Sequence, residues 1–475
     1  MIKKIQTKSV PELISTWQKK MFWLLWVTYA SFYLCRVNIS IAMPKIMEEF
    51  ALTKTNMGLV LSSLFLFYAI GQFINGQLGD KLNSRRIITL GLLSSAVLNI
   101  IFGFTGGILG LMIVIWGLNG YFQSMGWGPT VKAMANWFPS RVRGKISGRL
   151  GTCYILGGAF SWFLAGTIAQ HFNWRFTFWI PSIFCIFIAI HWFIRARNAP
   201  EEVGLPSVEE QEKGLENKEI RKDTHIGFRT TLKITLLNPH VWFAAFGLFG
   251  LNIVRYGFMS WAPTFMFEEQ GATISIAAYK ALAFPVAGGL GAIFAGWASD
   301  RIFKNRRAPV AFIMLILLAI FCYLFKTIPN DNWVLSLVIL LLIGFFTFGP
   351  HILLVAAMPV DLGSRKAASS VTGFINAFGY LGATLTGVGT GYLIEKFGWN
   401  AAFYFWISGA IFAAIMMALI WNYAERALKP EKDKLQSLVD GLAVTKPGIA
   451  VVEIDHKDQN VEYNKKFLQR KSFFI

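Results

Sequence analysis

Apolar residues in this chain come in near-continuous runs of roughly twenty between Phe22 and Asn422, each long enough to cross a hydrocarbon layer about 30 Å thick. Twelve spans are read, at 22–45, 56–77, 87–106, 109–137, 146–170, 175–195, 240–267, 276–299, 309–327, 333–359, 367–393 and 399–422. The polar stretches between them alternate in charge. Lys81, Arg85 and Arg86 follow the second span, and Arg141, Arg143 and Lys145 the fourth. Arg301, Lys304, Arg306 and Arg307 follow the eighth, and Arg365 and Lys366 the tenth. The loops after the third, fifth, ninth and eleventh spans carry little positive charge. The positive-inside rule therefore puts both termini and the long central loop in the cytoplasm. The expected organisation is a cytoplasmic N-terminal segment (1–21), a six-helix bundle (22–195), a cytoplasmic central loop (196–239), a second six-helix bundle (240–422) and a cytoplasmic tail (423–475). The start lacks a small-residue cleavage site and does not read as a removable signal peptide.

Composition narrows the class. Only 15% of residues are charged and 55% are hydrophobic, against about a quarter charged in soluble chains. A net charge of +19 would suggest a nucleic-acid partner in a soluble protein, but here the basic residues gather between apolar runs and set orientation in a bilayer. The expectation is an all-α protein of the cell inner (plasma) membrane, with a lipid bilayer and no nucleic acid as partner, acting as a monomer. Cys35, Cys153, Cys185 and Cys322 all fall inside apolar runs without metal-ligand spacing and read as small core residues. No Walker sequence occurs, so a drive by ATP hydrolysis is not expected. A transporter rather than an enzyme is expected, without a cofactor.

The two halves echo each other. Gly76-Gln77-Leu78-Gly79-Asp80-Lys81, ending in Arg85-Arg86, matches Gly296-Trp297-Ala298-Ser299-Asp300-Arg301, ending in Arg306-Arg307, with Asp80 and Asp300 220 residues apart. Asn173-Trp174 and Trp399-Asn400 correspond at a similar offset. A duplicated six-span unit is the signature of a transporter whose substrate site lies between its halves. The repeated loop resembles the signature of the major facilitator superfamily. That resemblance implies a gating set of Asp80, Arg85, Arg86, Asp300, Arg301 and Arg306, whose salt bridges would hold the cytoplasmic side shut when the protein faces outward.

Two charges stand where the bilayer disfavours them. Arg36 and Arg255 each lie about 14 residues into their spans, about 21 Å along a helix rising 1.5 Å per residue. An isolated charge at such depth costs at least about 2.5–3.5 kcal/mol. They are 219 residues apart, nearly the repeat offset, so they should face each other across the axis relating the halves. No carboxylate in spans 1 or 7 is placed to neutralise them. A guanidinium pair of this kind suits a carboxylate or phosphate bound in a bidentate fork.

The stretch Tyr33-Leu34-Cys35-Arg36-Val37-Asn38 before Ala42-Met43-Pro44 resembles the first helix of the organophosphate:phosphate antiporter family. Arg255-Tyr256-Gly257 with Trp261-Ala262-Pro263-Thr264 resembles its seventh helix. Gln123-Ser124-Met125-Gly126-Trp127-Gly128-Pro129, Phe348-Gly349-Pro350 and Phe378-Gly379-Tyr380-Leu381-Gly382 agree with its fourth, tenth and eleventh. The resemblance implies a major facilitator fold of twelve transmembrane helices in two bundles related by a pseudo-twofold axis. It implies Arg36 and Arg255 as phosphoryl ligands, with Tyr29, Tyr33 and Tyr380 around the pocket. It also implies exchange of an organic phosphate ester for inorganic phosphate by rocker-switch alternating access.

The chain departs from the family's pattern at several pocket positions. Gly71-Gln72-Phe73 stands where glycerol-phosphate and hexose-phosphate carriers usually have Ser-Lys-Phe. Tyr154 aligns with a pocket His of the glycerol-phosphate carriers, and Asn252 with a Tyr one turn before the span 7 Arg. His351 is a titratable candidate from another direction. Gln72, Tyr154, Asn252 and His351 therefore join the expected substrate contacts. Lys132 and Lys280 are further cations in or near spans. Two alternatives stay open. Arg36-Val37-Asn38-Ile39-Ser40 also resembles the first helix of organic anion symporters coupled to H+ or Na+. The family also includes membrane sugar-phosphate sensors.

Overall fold

The computed structural model describes residues 9–213, 236–328, 332–362 and 368–422. The tail read at 423–475, the middle of the central loop and the first eight residues lie outside the described residues, as do Arg365 and Lys366. All regular structure among the described residues is helical. The helices are α1 (Val10–Phe32), α2 (Ile39–Phe50), α3 (Lys54–Lys81), α4 (Ser84–Phe102), α5 (Leu109–Gln123), α6 (Trp127–Trp137), α7 (Ser140–His171) and α8 (Phe176–Arg195). After the short α9 (Val208–Lys213) come α10 (Pro239–Glu268), α11 (Ile274–Ala281), α12 (Ala283–Arg301), α13 (Arg307–Thr327) and α14 (Trp333–Ile352). The chain then continues through α15 (Met358–Leu362), α16 (Ala368–Phe397) and α17 (Trp399–Leu419).

Among the described residues, ten helical stretches are long and apolar enough to cross a bilayer by length and composition alone. The other two crossings are α5–α6 and α16. The first is split at Ser124–Gly126, where Pro129 has no N–H to give to the Met125 carbonyl. The second is diluted by Gly, Ser and Thr. Prolines interrupt other crossings in the same way. Pro285 leaves the Ala281 carbonyl without its helical donor at the joint between α11 and α12, and Pro350 precedes a widened turn at Leu353–Ala357.

The first crossing differs from the sequence reading. Its helix begins at Val10 rather than near Phe22, with a Ser9–Glu12 capping box and Pro11 in the first turn. It then breaks. A 3-10 turn covers Tyr33–Cys35, Arg36 leaves helical geometry at φ −121° and ψ −49°, and α2 resumes at Ile39. Arg36 therefore sits at an interruption rather than along a continuous helix.

Six crossings precede the central loop and six follow it. The halves meet reciprocally: α3, second crossing of the first half, packs on α16, fifth of the second, and α7 packs on α11 and α12 in the mirrored arrangement. These pairings reproduce the pseudo-twofold relation of the repeat. On the side away from the two Arg-rich loops the seam is tightly closed. Ser62 Oγ donates to the Thr384 carbonyl at 2.5 Å and accepts from Val388 N at 2.8 Å, and Thr55 N donates to Glu395 Oε2 at 3.1 Å. Lys54 pairs with Glu268 at 3.1 Å, and the hydroxyls of Thr167 and Tyr279 are 3.0 Å apart.

Candidate anion-binding site

Arg36 and Arg255 are 6% and 5% exposed, one from each half, in the middle of their crossings. Arg36 Nε donates to Gln123 Oε1 at 3.0 Å, its guanidinium lies 4.6 Å over the ring of Tyr68 and 4.9 Å over that of Tyr33, and its Nη2 has no partner. Arg255 is carried by the unbroken α10. Its Nη1 lies 3.1 Å from His351 Nε2 and 3.4 Å from the Tyr256 hydroxyl, its guanidinium faces the rings of Tyr256 and Phe348, and its Nε has no partner. Among the described residues no carboxylate forms an ion pair with either arginine. Both charges are held by aromatic faces and neutral acceptors, which compensate a guanidinium only in part.

Aromatic rings tie the two halves together around these charges. Tyr68 of α3 packs on Tyr380 of α16 with ring centroids 4.5 Å apart, and Phe65 of α3 on Tyr256 of α10 at 4.4 Å. Tyr33 and Tyr380 lie within electrostatic range of both arginines. The Tyr68 hydroxyl is within hydrogen-bonding reach of Arg36, Tyr380 and Gln72. The expected residues Arg36, Arg255, Tyr33, Tyr380, Gln72 and His351 thus converge on one region. Tyr154 approaches from α7, 6.5 Å from Tyr33 by ring centroids. It lines, with Tyr33, Trp162, Arg255 and Phe348, a cavity of about 10 Å³, a volume no larger than one water needs. Tyr29 lies one layer away, between Tyr33 and Trp127. Asn252 is buried one turn before Arg255 with its Oδ1 unpaired.

The geometry of His351 fixes its tautomer. A guanidinium can only donate, so Nε2 must accept from Arg255 and the ring proton sits on Nδ1. That Nδ1 is buried without a partner. Around the two buried cations the structure thus leaves unpaired the Arg36 Nη2, the Arg255 Nε, the His351 Nδ1 and the Asn252 Oδ1.

Sequence reasoning did not single out Tyr68, Gln123, Tyr256, Phe65 or Phe348. Signals for four of them were present: Tyr68 is one helical turn before Gln72, Tyr256 adjoins Arg255, and Gln123 and Phe348 open the fourth- and tenth-span motifs. The other two cations lie elsewhere. Lys132 reaches the Leu82 carbonyl beside the first Arg-rich loop, and Lys280 is buried in α11 on the seam with α7.

The expected gating residues spread over the loop side. Asp80 lies in the last turn of α3, and its side chain is outside the described residues. Arg85 reaches the Ala196 carbonyl at 3.5 Å and the Phe193 ring, while Arg86 is exposed. Asp300 pairs with Arg307, which also reaches Asp361 Oδ2 at 3.3 Å. Arg301 is exposed and Arg306 immediately precedes α13. The last arginine of the motif, Arg307, is thus a cation that the structure brings to Asp300.

Comparison with known proteins gives a consistent picture. Residues 25–387 match the family model of the Major Facilitator Superfamily. The glycerol-3-phosphate transporter of Bacillus subtilis (strain 168) is 32% identical over 422 residues, covering 85% of this chain and 92% of that protein. A probable hexose phosphate transport protein of Chlamydia trachomatis is 29% identical over 448 residues, covering 90% and 96%. The membrane sensor protein UhpC of Escherichia coli is 29% identical over 391 residues, covering 82% and 88%. Among solved structures, a bacterial homolog of the human lysosomal transporter Spinster matches with a TM-score of 0.70 at 16% identity, over 87% of this chain and 98% of that one, a likeness of fold. An integral membrane protein with twelve crossings, a duplicated Asp–Arg loop and this set of relatives belongs to the Major Facilitator Superfamily, within its organophosphate:phosphate antiporter family.

Proposed function

We propose that this protein exchanges an organic phosphate ester for inorganic phosphate across the plasma membrane, with both termini in the cytoplasm. The bundles 22–195 and 240–422 would rock about the site, linked by 196–239. The observation that carries this reading is the pair of buried arginines, one from each half, that face aromatic rings and neutral acceptors without a carboxylate. A phosphoryl dianion neutralises both at once and accepts from two forks. Empty, two like charges in a poorly screened interior resist being drawn together; loaded, they attract the same ligand, so closure around the site follows occupancy. A carrier that changes sides only when loaded is an obligate exchanger.

The test is uptake into liposomes preloaded with inorganic phosphate, over glycerol phosphate, hexose phosphates and phosphoglycerates. Exchange of at least one ester, dependent on internal phosphate, is expected. Entry of a carboxylate driven by a proton or sodium gradient, with no ester exchanged, overturns the proposal in favour of symport. A second reading is favoured by the similarity to the sensor protein UhpC. On that reading the same arginines bind a sugar phosphate without moving it, which appears as saturable binding with no exchange.

A further inference from the structure

The break in the first crossing leaves backbone carbonyls in mid-membrane without helical donors, and a set of buried amides takes them up. Asn99 Nδ2 and Asn119 Nδ2 both donate to the Cys35 carbonyl, at 3.1 and 2.9 Å. Gln123 Nε2 donates to the Phe32 carbonyl at 2.9 Å and to Ser95 Oγ at 2.7 Å. Ser95 Oγ in turn donates to Asn119 Oδ1 at 2.5 Å, and Asn38 Nδ2 joins Asn99 Oδ1 to the Thr177 carbonyl. Asn38, Ser95, Asn99, Asn119 and Gln123 are all fully buried. Such amides are expensive in an apolar interior unless paired, and only Asn38 Oδ1 among them is left over. The network thus spans the broken first crossing, α4, α5 and α8, and its end nearest the anion site is Gln123 Oε1, which receives Arg36 Nε.

We infer that Gln123 is a positioning residue for Arg36. Its amide is anchored from behind by two donated hydrogen bonds, so its oxygen has a fixed place, and that oxygen engages Nε while the Nη2 of Arg36 stays unpaired for an anion. The acceptor is neutral, and this is the second part of the inference. A carboxylate at the same place would pair with the guanidinium and compete with phosphate for it, whereas an amide orients the charge without cancelling it. Among the described residues no amide holds Arg255 in the same way: its Nη1 is engaged by His351 and its Nε is left over. The two arginines therefore offer different edges to one ligand, and the first is held by the amide network.

The inference rests on the reading that Arg36 binds the phosphoryl group, and the experiment separates the two. Gln123→Met and Gln123→Glu both lose the amide's donated bonds, but only the second places a negative charge beside Arg36. Phosphate exchange is measured in liposomes alongside Arg36→Lys, with membrane insertion and melting followed for each variant. Gln123→Met is expected to raise KM about tenfold with kcat within about threefold of wild type, as for the loss of one charge-assisted hydrogen bond. Gln123→Glu should raise KM a further tenfold or more, although it melts no lower than Gln123→Met. A merely structural role predicts that the two variants behave alike, so equal KM values, wild-type KM in either, or failure of both to insert overturns the inference. Where only Gln123→Glu fails to insert, the KM of Gln123→Met decides. If Arg36→Lys exchanges like wild type, the phosphoryl-binding reading itself is wrong. If Arg36→Lys is inactive and Gln123→Met is normal, the reading stands and only the positioning role falls.

Discussion

The closed seam between α3 and α16 makes a quantitative prediction about alternating access. Gly58 faces backbone of α16: a Cβ there would lie 2.5 Å from the Gly387 carbonyl oxygen and 2.9 Å from Val388 Cα. Backbone atoms in two packed helices cannot rotate away, and ordinary contact needs roughly 3.4–4 Å, so the helices must separate by about 1 Å at this level. Overpacking of this kind costs about 1–3 kcal/mol, and the cost applies only where the seam is shut. Each 1.4 kcal/mol is about a tenfold change in an equilibrium, so Gly58→Ala should shift the population away from the form closed on this side by about 5- to 150-fold. Spin labels on cysteines replacing the exposed Lys45 and Lys396 would report the change as a longer distance population. Phosphate exchange should slow by about tenfold or more, because one half-cycle is disfavoured. Gly110→Ala, at a position whose Cβ would meet nothing within 4 Å, is the control and should match wild type. An unchanged distance distribution and exchange rate in Gly58→Ala would refute the view that this seam opens and closes in the cycle.

Other expectations follow from the same geometry. Arg36→Lys and Arg255→Lys keep charge but lose the planar fork, and each should cut exchange by at least about a hundredfold at normal membrane levels. His351→Gln can still accept from Arg255 and donate through its amide, and should stay within about threefold of wild type, whereas His351→Leu should raise KM about tenfold; liposome exchange distinguishes them. Glu395 lies at the end of α16 past the apolar span, and hydrogen bonds from the Thr55 side chain, then its backbone N–H, and from Thr53 hold its carboxyl below the ordinary value of 4.5. A depressed carboxylate contributes above its unpaired value and is lost as pH falls, so its support for the seam is present above about pH 4.5 and fades below it. The same label pair should report opening on acidification, and Glu395→Gln should open the seam at neutral pH.

How far the sequence carried this account depends on the range of the interaction concerned. Hydrophobic run length and loop charge are local properties, so the twelve crossings and the duplicated Asp–Arg loops were legible. The arginines were legible because a lone charge in a run such as 22–45 is conspicuous without any knowledge of its neighbours. What supports them was not. The break at Tyr33–Asn38 is stabilised by amides 61 to 91 positions away along the chain, and no local pattern at Cys35 announces it. Pro44 lies inside α2, and the interruption lies upstream of it, where Asn99, Asn119 and Gln123 take the carbonyls. The Tyr68–Tyr380 and Phe65–Tyr256 contacts likewise require knowing that α3 of one half meets α16 and α10 of the other. In the loop motif the sequence supplied four cations after span 8, and only the folded chain shows that Arg307 serves both Asp300 and Asp361.

The central claim is that one anion is held jointly by Arg36 and Arg255. Calorimetric binding of inorganic phosphate to the purified protein tests it most directly, comparing wild type with Arg36→Gln, Arg255→Gln and the double variant. A single site per chain is predicted, with each single variant losing at least about a hundredfold in affinity and the double variant little worse than either, because removing one fork already undoes the bridge. Near-wild-type binding in either single variant, or losses that simply add in the double, would contradict a shared site.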